Sequence, residues 1–258
     1  MITASKVHAA RRCGYAFRPD VPKTPREPGK AAVMGTAAHE ELEALIKLGV
    51  GPQAPSKSMV NASYPEHERH AYQAYLWVYK FGLPTHVEKG FIYNTETDTA
   101  ELGPRRGESG YEVTPEHCIR GTFDMVWVDG DKGTVIDYKT GKVENAHVDQ
   151  LKIQAVAASR IWKLKTVRHG FLFSRLTKVL PPTDDPNLEE ARRWGYMNED
   201  DLDSEAGGFR KLLKVIPTAE PTHGDHCRWC EVTQGSCPIW ANAAFEQQQQ
   251  QGEQDGTV

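Results

Sequence analysis

Apolar positions recur at helical spacing in some stretches of this chain and at every second residue in others. In 35–49 (GTAAHEELEALIKLG), Leu42, Leu45 and Ile46 share one helical stripe and Gly49 marks the stop. A second helix is predicted over 65–81, where Tyr72, Tyr75, Leu76 and Tyr79 form an aromatic stripe read as core packing. From 86 to 139 the period falls to two. HVEKGFIY, CIRGTFDMVWV and GTVIDYKT read as three strands, the last two joined by a turn over Asp129–Gly133. Between the first two, 94–117 reads as a polar excursion. A helix over 146–162, a strand over 167–174 and a short helix near 208–216 follow. The proline-spaced segment 19–30 is an extended connector, and the glutamine-rich end, 241–258, reads as a disordered tail. No internal repeat is visible, which leaves 1–240 as a single domain.

Alternation also assigns faces to the polar residues. Ile119, Phe123, Met125 and Trp127 share parity, and Asp124 falls opposite with Val126 and Val128. In the next strand Val135, Asp137 and Lys139 share a face. Charges on apolar strand faces are costly unless paired or metal-bound. Asp124 and Asp137 on adjacent antiparallel strands can converge on one hard cation such as Mg²⁺, with the Tyr138 carbonyl as a further ligand. Lys139 then lies where it can orient or help deprotonate an attacking water. The competing reading is a surface Asp–Lys ion pair at a strand end. His39 shares a helical face with Leu42 and Ile46, so a core histidine competes with a ligand there. Gln150 and Gln154 are i,i+4 neighbours, either buried hydrogen-bonding amides or contacts to the lysine, a base or a phosphate. Glu88 is read as an exposed strand residue rather than a further ligand.

Composition narrows the class. At 258 residues, with 39% apolar and 26% charged positions, the chain needs no disulfide staples for its core. No apolar run is long enough for a membrane span and no signal-peptide stretch opens the sequence, so a soluble, cytoplasmic protein without a membrane partner is expected. The net charge of −4 argues at first against nucleic acid, but −7 sits in 184–205 and −3 in 241–258, leaving +6 elsewhere. The first 33 residues carry seven bases against two acids. No Walker A sequence, no G-x-G-x-x-G and no zinc-deaminase signature are present.

Taken in order, Gly35-Thr-Ala-Ala-His39, Gly121-Thr-Phe-Asp124, Val135-Ile-Asp137-Tyr-Lys139-Thr-Gly141 and Asp149-Gln150-Leu151 resemble the core motifs of the PD-(D/E)XK nuclease superfamily in its RecB-like branch. The branch's glutamine motif usually continues to a tyrosine where this chain has Gln154. The resemblance implies an α/β, restriction-endonuclease-like core, a mixed sheet flanked by helices. It further implies Mg²⁺- or Mn²⁺-dependent hydrolysis of DNA phosphodiesters: His39, Asp124, Asp137 and the Tyr138 carbonyl hold the metal, Lys139 assists the water and Gln150 positions substrate. The implied activity is that of an exonuclease on single strands or DNA ends, usually 5′→3′, working with recombination, replication or CRISPR adaptation proteins, in some cases in a phage. Ring-forming relatives make a homo-oligomer compatible with it. The alternative is a catalytically inactive DNA-binding or adaptor protein on the same scaffold.

Five cysteines in a reducing compartment argue for metal ligation. Cys227, Cys230 and Cys237 show C-x₂-C-x₆-C spacing, Cys13 stands near the start, and Cys118 reads as a buried apolar residue. A Cys₃His zinc site using His223 or His226 is open on spacing alone. The early cysteine and the late trio resemble those of iron–sulfur RecB-like exonucleases, including the CRISPR-associated exonuclease family four and phage-borne relatives. That resemblance implies a structural 4Fe–4S cluster on Cys13, Cys227, Cys230 and Cys237, in a lobe joining the two ends of the chain.

Overall fold

Among the described residues seven strands make one sheet: β1 (Ile2–Thr3), β2 (His86–Asn94), β3 (Thr99–Gly103), β4 (Cys118–Asp129), β5 (Lys132–Lys139), β6 (Thr166–Phe173) and β7 (Gly195–Met197). Its order is β3-β2-β4-β5-β6-β7, with β1 paired to β4. The computed structural model describes residues 2–24, 27–49, 65–105, 107–111, 115–141, 147–174, 194–224, 227, 230–232 and 236–239. The expected 241–258 tail and His226 lie outside them.

Pairing is antiparallel except for β1 with β4 and β5 with β6. A parallel neighbour needs a crossover, and helix α4 (Val148–Trp162) supplies it between β5 and β6. With α1 (Val7–Arg12) and α5 (Glu199–Val215), α4 covers one face of the sheet over a core including Phe91, Tyr93, Ile119, Phe123, Val126 and Val135. The other face carries α2 (Lys30–Leu48) and α3 (Glu66–Phe81) over Met125, Ile136 and Tyr138. The result is a mixed sheet flanked by helices.

Several boundaries differ from those predicted. The excursion 94–117 contains β3, which pairs with β2 from Gly90↔Gly103 to Asn94↔Thr99. Helix α2 begins at Lys30, inside the expected connector. Its end is as predicted: Gly49 adopts φ +62° and its N–H reaches the carbonyls of Leu45 and Ile46, satisfying two groups left by the last turn. The acidic stretch starts α5 well before 208, because Asn198 and Asp201 form a reciprocal capping box and three acids occupy the positive first turn. On α3 the buried stripe is His70, Ala71, Ala74, Tyr75 and Val78, whereas Tyr79 faces solvent at 44% exposure. No described helix is long and apolar enough to cross a membrane.

Candidate active site at the fork of the sheet

The β4–β5 ladder runs from the tight turn at Gly130-Asp131 only as far as Met125↔Ile136. Beyond it, Asp137, Tyr138 and Lys139 pair with β6 alone, and the freed edge of β4 takes β1 at Ile119 and Arg120. The sheet therefore forks between β4 and β5. Asp124 stands in the fork, its Oδ2 accepting the Tyr138 N–H at 2.6 Å in place of a ladder bond.

Strict alternation would have kept Ile119, Phe123, Met125 and Trp127 on one face. The structure overturns that expectation. Ile119 and Phe123 join the core under α4, while Met125 and Trp127 join the one under α2 and α3. Val126 and Val128 take the α4 side instead. Strand β2 makes the same inversion, with Phe91 and Tyr93 on one side and Val87 on the other. The switch falls at Glu88 and Asp124, the one position skipped between Val87↔Met125 and Lys89↔Phe123. Glu88 has φ +47°, a left-handed conformation that costs a non-glycine residue about 1–3 kcal/mol and concentrates at functional sites.

The inversion brings Glu88 to His39. Nδ1 of His39 donates to Glu88 Oε1 at 3.0 Å and lies 3.7 Å from Asp124 Oδ1, and its Nε2 donates to the Tyr138 carbonyl at 3.1 Å. His39 reaches them because α2 packs closely on the end of β5. A Cβ on Gly35, one turn earlier, would sit 3.3 Å from Thr140 Oγ1. Gly121 has a similar reason, since a Cβ there would meet the Phe91 ring at 2.6 Å and Ala4 at 2.9 Å. Glu88 is thus no exposed strand residue: its side chain is 14% exposed and belongs to the site. Parity could not reveal this, because the left-handed turn that redirects it leaves no pattern in residue type.

Ligand atoms of His39, Glu88 and Asp124 all lie within 4.8 Å of one another, a spacing able to hold a metal ion. Asp137, 1% exposed, pairs with Lys139 at 2.5 Å through Oδ2. Gln150 bridges the two, donating from Nε2 to Asp137 Oδ1 and accepting from Lys139 Nζ at 3.0 Å. The ammonium also lies 5.7 Å from the centre of the Phe171 ring. Gln154, where the motif's tyrosine is missing, is fully buried and closes the back of the fork. Its Nε2 donates to the Thr122 carbonyl at 2.9 Å and to Asp137 Oδ1 at 3.3 Å. His39, Asp124, Asp137, Tyr138, Lys139 and Gln150 thus converge, joined by Glu88 and Gln154.

Charge state follows from burial and neighbours. Burial pushes the Asp124 carboxyl up, and Asp137 and Glu88 push it further, against the pull of His39 and Lys139. Burial alone would lower His39, but Asp124, Glu88 and Asp137 raise it to about 9. For Lys139, burial opposes the charge, yet Asp137 and Asp124 outweigh it and hold the ammonium above its ordinary value. The fork is a buried anionic pocket that recruits positive charge.

A family model of the PD-(D/E)XK nuclease superfamily matches residues 1–238. The chain belongs to that superfamily. No curated protein and no solved structure matches it. Within this nuclease superfamily fold, the His/Glu/Asp cluster is a candidate centre for metal-dependent cleavage.

The cysteines lie apart from the fork. Cys13 and Cys237 are buried, Cys230 and Cys227 half-buried, and no disulfide is present among the five. The ends of the chain do meet there. Thr24 N–H donates to the Glu231 carbonyl at 2.9 Å, and Lys23 bridges to Val232. Tyr15 donates to the Ser236 carbonyl at 2.8 Å, and Val21, Val232 and Cys237 share a small core. Burial pushes the Cys230 thiol up, and Cys13, Cys237 and Cys227 add to the effect. No set of three cysteine sulfurs gathers within 4.8 Å among the described residues. No iron–sulfur lobe is evident among the described residues, although the two segments that would form it are clasped. Cys118 is buried at the start of β4, as a small apolar residue.

Proposed function

We propose that this chain is a divalent-metal-dependent deoxyribonuclease of the RecB-like branch, acting on single strands or ends of DNA. The observation that carries the reading is the convergence of His39, Glu88 and Asp124 beside the Asp137–Lys139–Gln150 network. The donor set fits Mg²⁺ or Mn²⁺: carboxylate oxygens, the Tyr138 carbonyl and one imidazole, the last favouring Mn²⁺. The proton that His39 retains up to about 9 supports the fit, because it fills the need of the carboxylates for a cation. When bound, a divalent cation supplies charge neutralisation to the scissile phosphate and a polarised nucleophile.

The chain's own residues set the geometry of attack. Lys139, holding its proton, donates hydrogen bonds to the incoming water and to the phosphate oxygens rather than acting as base. Asp137 and Gln150 fix where that ammonium points. Gln150 thereby works through Lys139 and Asp137, and Gln154 buttresses the same carboxylate. Hydrolysis breaks one P–O bond, leaving a phosphate on one fragment and a hydroxyl on the other.

For the clasp, the reading is a structural 4Fe–4S cluster on Cys13, Cys227, Cys230 and Cys237. Its support is that the other three thiols all act on Cys230 while no three sulfurs stand at single-ion spacing among the described residues. Tetrahedral zinc with bonds near 2.3 Å would need sulfurs about 3.8 Å apart. Anaerobic purification should yield brown protein with thiolate-bound iron; stoichiometric zinc in colourless protein would sink this assignment.

The deciding assay follows end-labelled single-stranded, double-stranded and circular DNA with Mg²⁺, Mn²⁺ or EDTA. The expected result is metal-dependent loss of linear DNA, abolished by Lys139→Ala. DNA binding that survives Lys139→Ala, with no cleavage under any metal, would replace the nuclease with an adaptor on a nuclease scaffold.

A further inference from the structure

A second cationic feature lies outside the fork. A cavity of about 270 Å³ opens between the N-terminal segment, the start of α4 and the C-terminal clasp; Cys13 and Cys230, assigned above to the cluster, form part of its wall, and its charged or imidazole side chains are Lys6, His8, Arg12, Lys23, His147 and Glu231. Five of these six are basic. Lys6 is neutralised by Glu231 at 3.0 Å, and His8 contacts Asp149 at 3.1 Å. Arg12 and Lys23 form no ion pair among the described residues, and Lys23 donates only to the Arg18 carbonyl. His8 and His147 stack with ring centres 3.9 Å apart and planes 7° from parallel, stiffening one wall.

The cavity is also placed for a purpose. His147 caps α4, and its carbonyl accepts the N–H of Gln150, the residue whose side chain joins Asp137 to Lys139. One turn of helix therefore separates the cavity wall from the fork. Two cations outside any ion pair among the described residues match the charge of a phosphate monoester, about −1.5 to −2 at neutral pH, better than the single charge of a diester. Burial lowers the His147 imidazole, and His8 and Arg12 add to it against the pull of Asp149.

We propose that this cavity binds the terminal phosphate monoester of a DNA strand and anchors that end beside the fork, with Arg12 and Lys23 as its principal contacts. The proposal rests on the nuclease reading for its consequence, end-dependent cleavage, and stands apart from it for binding.

The test compares one single-stranded oligonucleotide carrying a 5′-phosphate, a 3′-phosphate or hydroxyls at both ends. Binding is read by anisotropy in EDTA, and cleavage with Mn²⁺. One phosphorylated end should bind and be cut about tenfold better than the hydroxyl form, the size of one charge-assisted hydrogen bond. Which end gains identifies the strand polarity. Arg12→Gln with Lys23→Gln should bring the phosphate-to-hydroxyl ratio to about one, and Arg12→Lys with Lys23→Arg should keep it, which guards against a misfolded variant. Inorganic phosphate should compete for the phosphorylated form and leave the hydroxyl form alone. Equal binding and cutting of all three DNAs, or a ratio unmoved by the double glutamine variant, overturns the proposal and leaves the nuclease intact. Absence of cleavage with phosphate-dependent binding preserved sinks the nuclease reading and leaves the anchor.

Discussion

Two histidines, one half-buried and one buried, pack against the same sheet and are held in opposite states. His39 enters the fork from α2 and is raised to about 9, whereas His169 on β6 is lowered to about 4. Desolvation acts on both and disfavours the charged ring. In the fork, Asp124, Glu88 and Asp137 overcome it. Around His169 burial decides, with Lys152 also opposing protonation and Glu205 favouring it. Its Nδ1 has no hydrogen-bond partner among the described residues. Burial alone therefore does not set the charge of a histidine; excess carboxylate around it does.

The largest test removes that excess. Asp124→Asn keeps an acceptor for the Tyr138 N–H but deletes one buried charge, so the fold should survive while cleavage falls by about 10²–10⁴-fold. Glu88→Gln should cost less, about 10–100-fold, and part of the loss should return at higher Mn²⁺. Rates on linear DNA across a metal titration, beside thermal melts, check both. Wild-type rates in either variant would mean that the carboxylates serve only to hold His39.

The next test concerns His169, where the sign is reversed. An ordinary imidazole titrates near 6.5, so below that value the unfolded chain takes up a proton that folded His169 refuses until about 4. Stability is unaffected by this group above 6.5 and falls as pH drops from there toward 4. Between pH 7 and 5 the loss should be about 2 kcal/mol. Urea unfolding of wild type and His169→Gln at the two values measures it; an equal acid sensitivity in both would reject the buried-neutral state.

The fork's residues were legible because their chemistry is written in residue type. Asp and Lys on an apolar strand, glycine before Asp124 and Gln150 after the turn each raise a question that only a polar site answers. Glu88 was illegible for a geometric reason: alternation presumes extended backbone, and one left-handed residue inverted two strands together. Strand β3 was missed because Thr99–Gly103 is a largely exposed edge with little apolar patterning. The start of α5 was hidden behind acids that read as a solvated run, although the Asn198–Asp201 spacing is itself a capping signal. Cysteine spacing led to the expectation of a cluster joining the two segments, whereas their described contacts run through Tyr15, Lys23, Thr24 and Val232.

The smallest test separates burial from charge at His169. Lys152 pairs with Glu205 at 2.8 Å, so the cation both repels a protonated His169 and restrains the one acid that would favour it. Lys152→Met removes the repulsion and releases Glu205, two changes of the same sign, while keeping an unbranched side chain of similar length. The imidazole should therefore titrate upward, by less than about one unit because Lys152 is a third exposed and solvent screens it. An NMR titration of the His169 ring reads the shift directly. A midpoint that stays at about 4 would assign the whole depression to burial, and the contrast with His39 would then reduce to carboxylates present in one place and absent in the other.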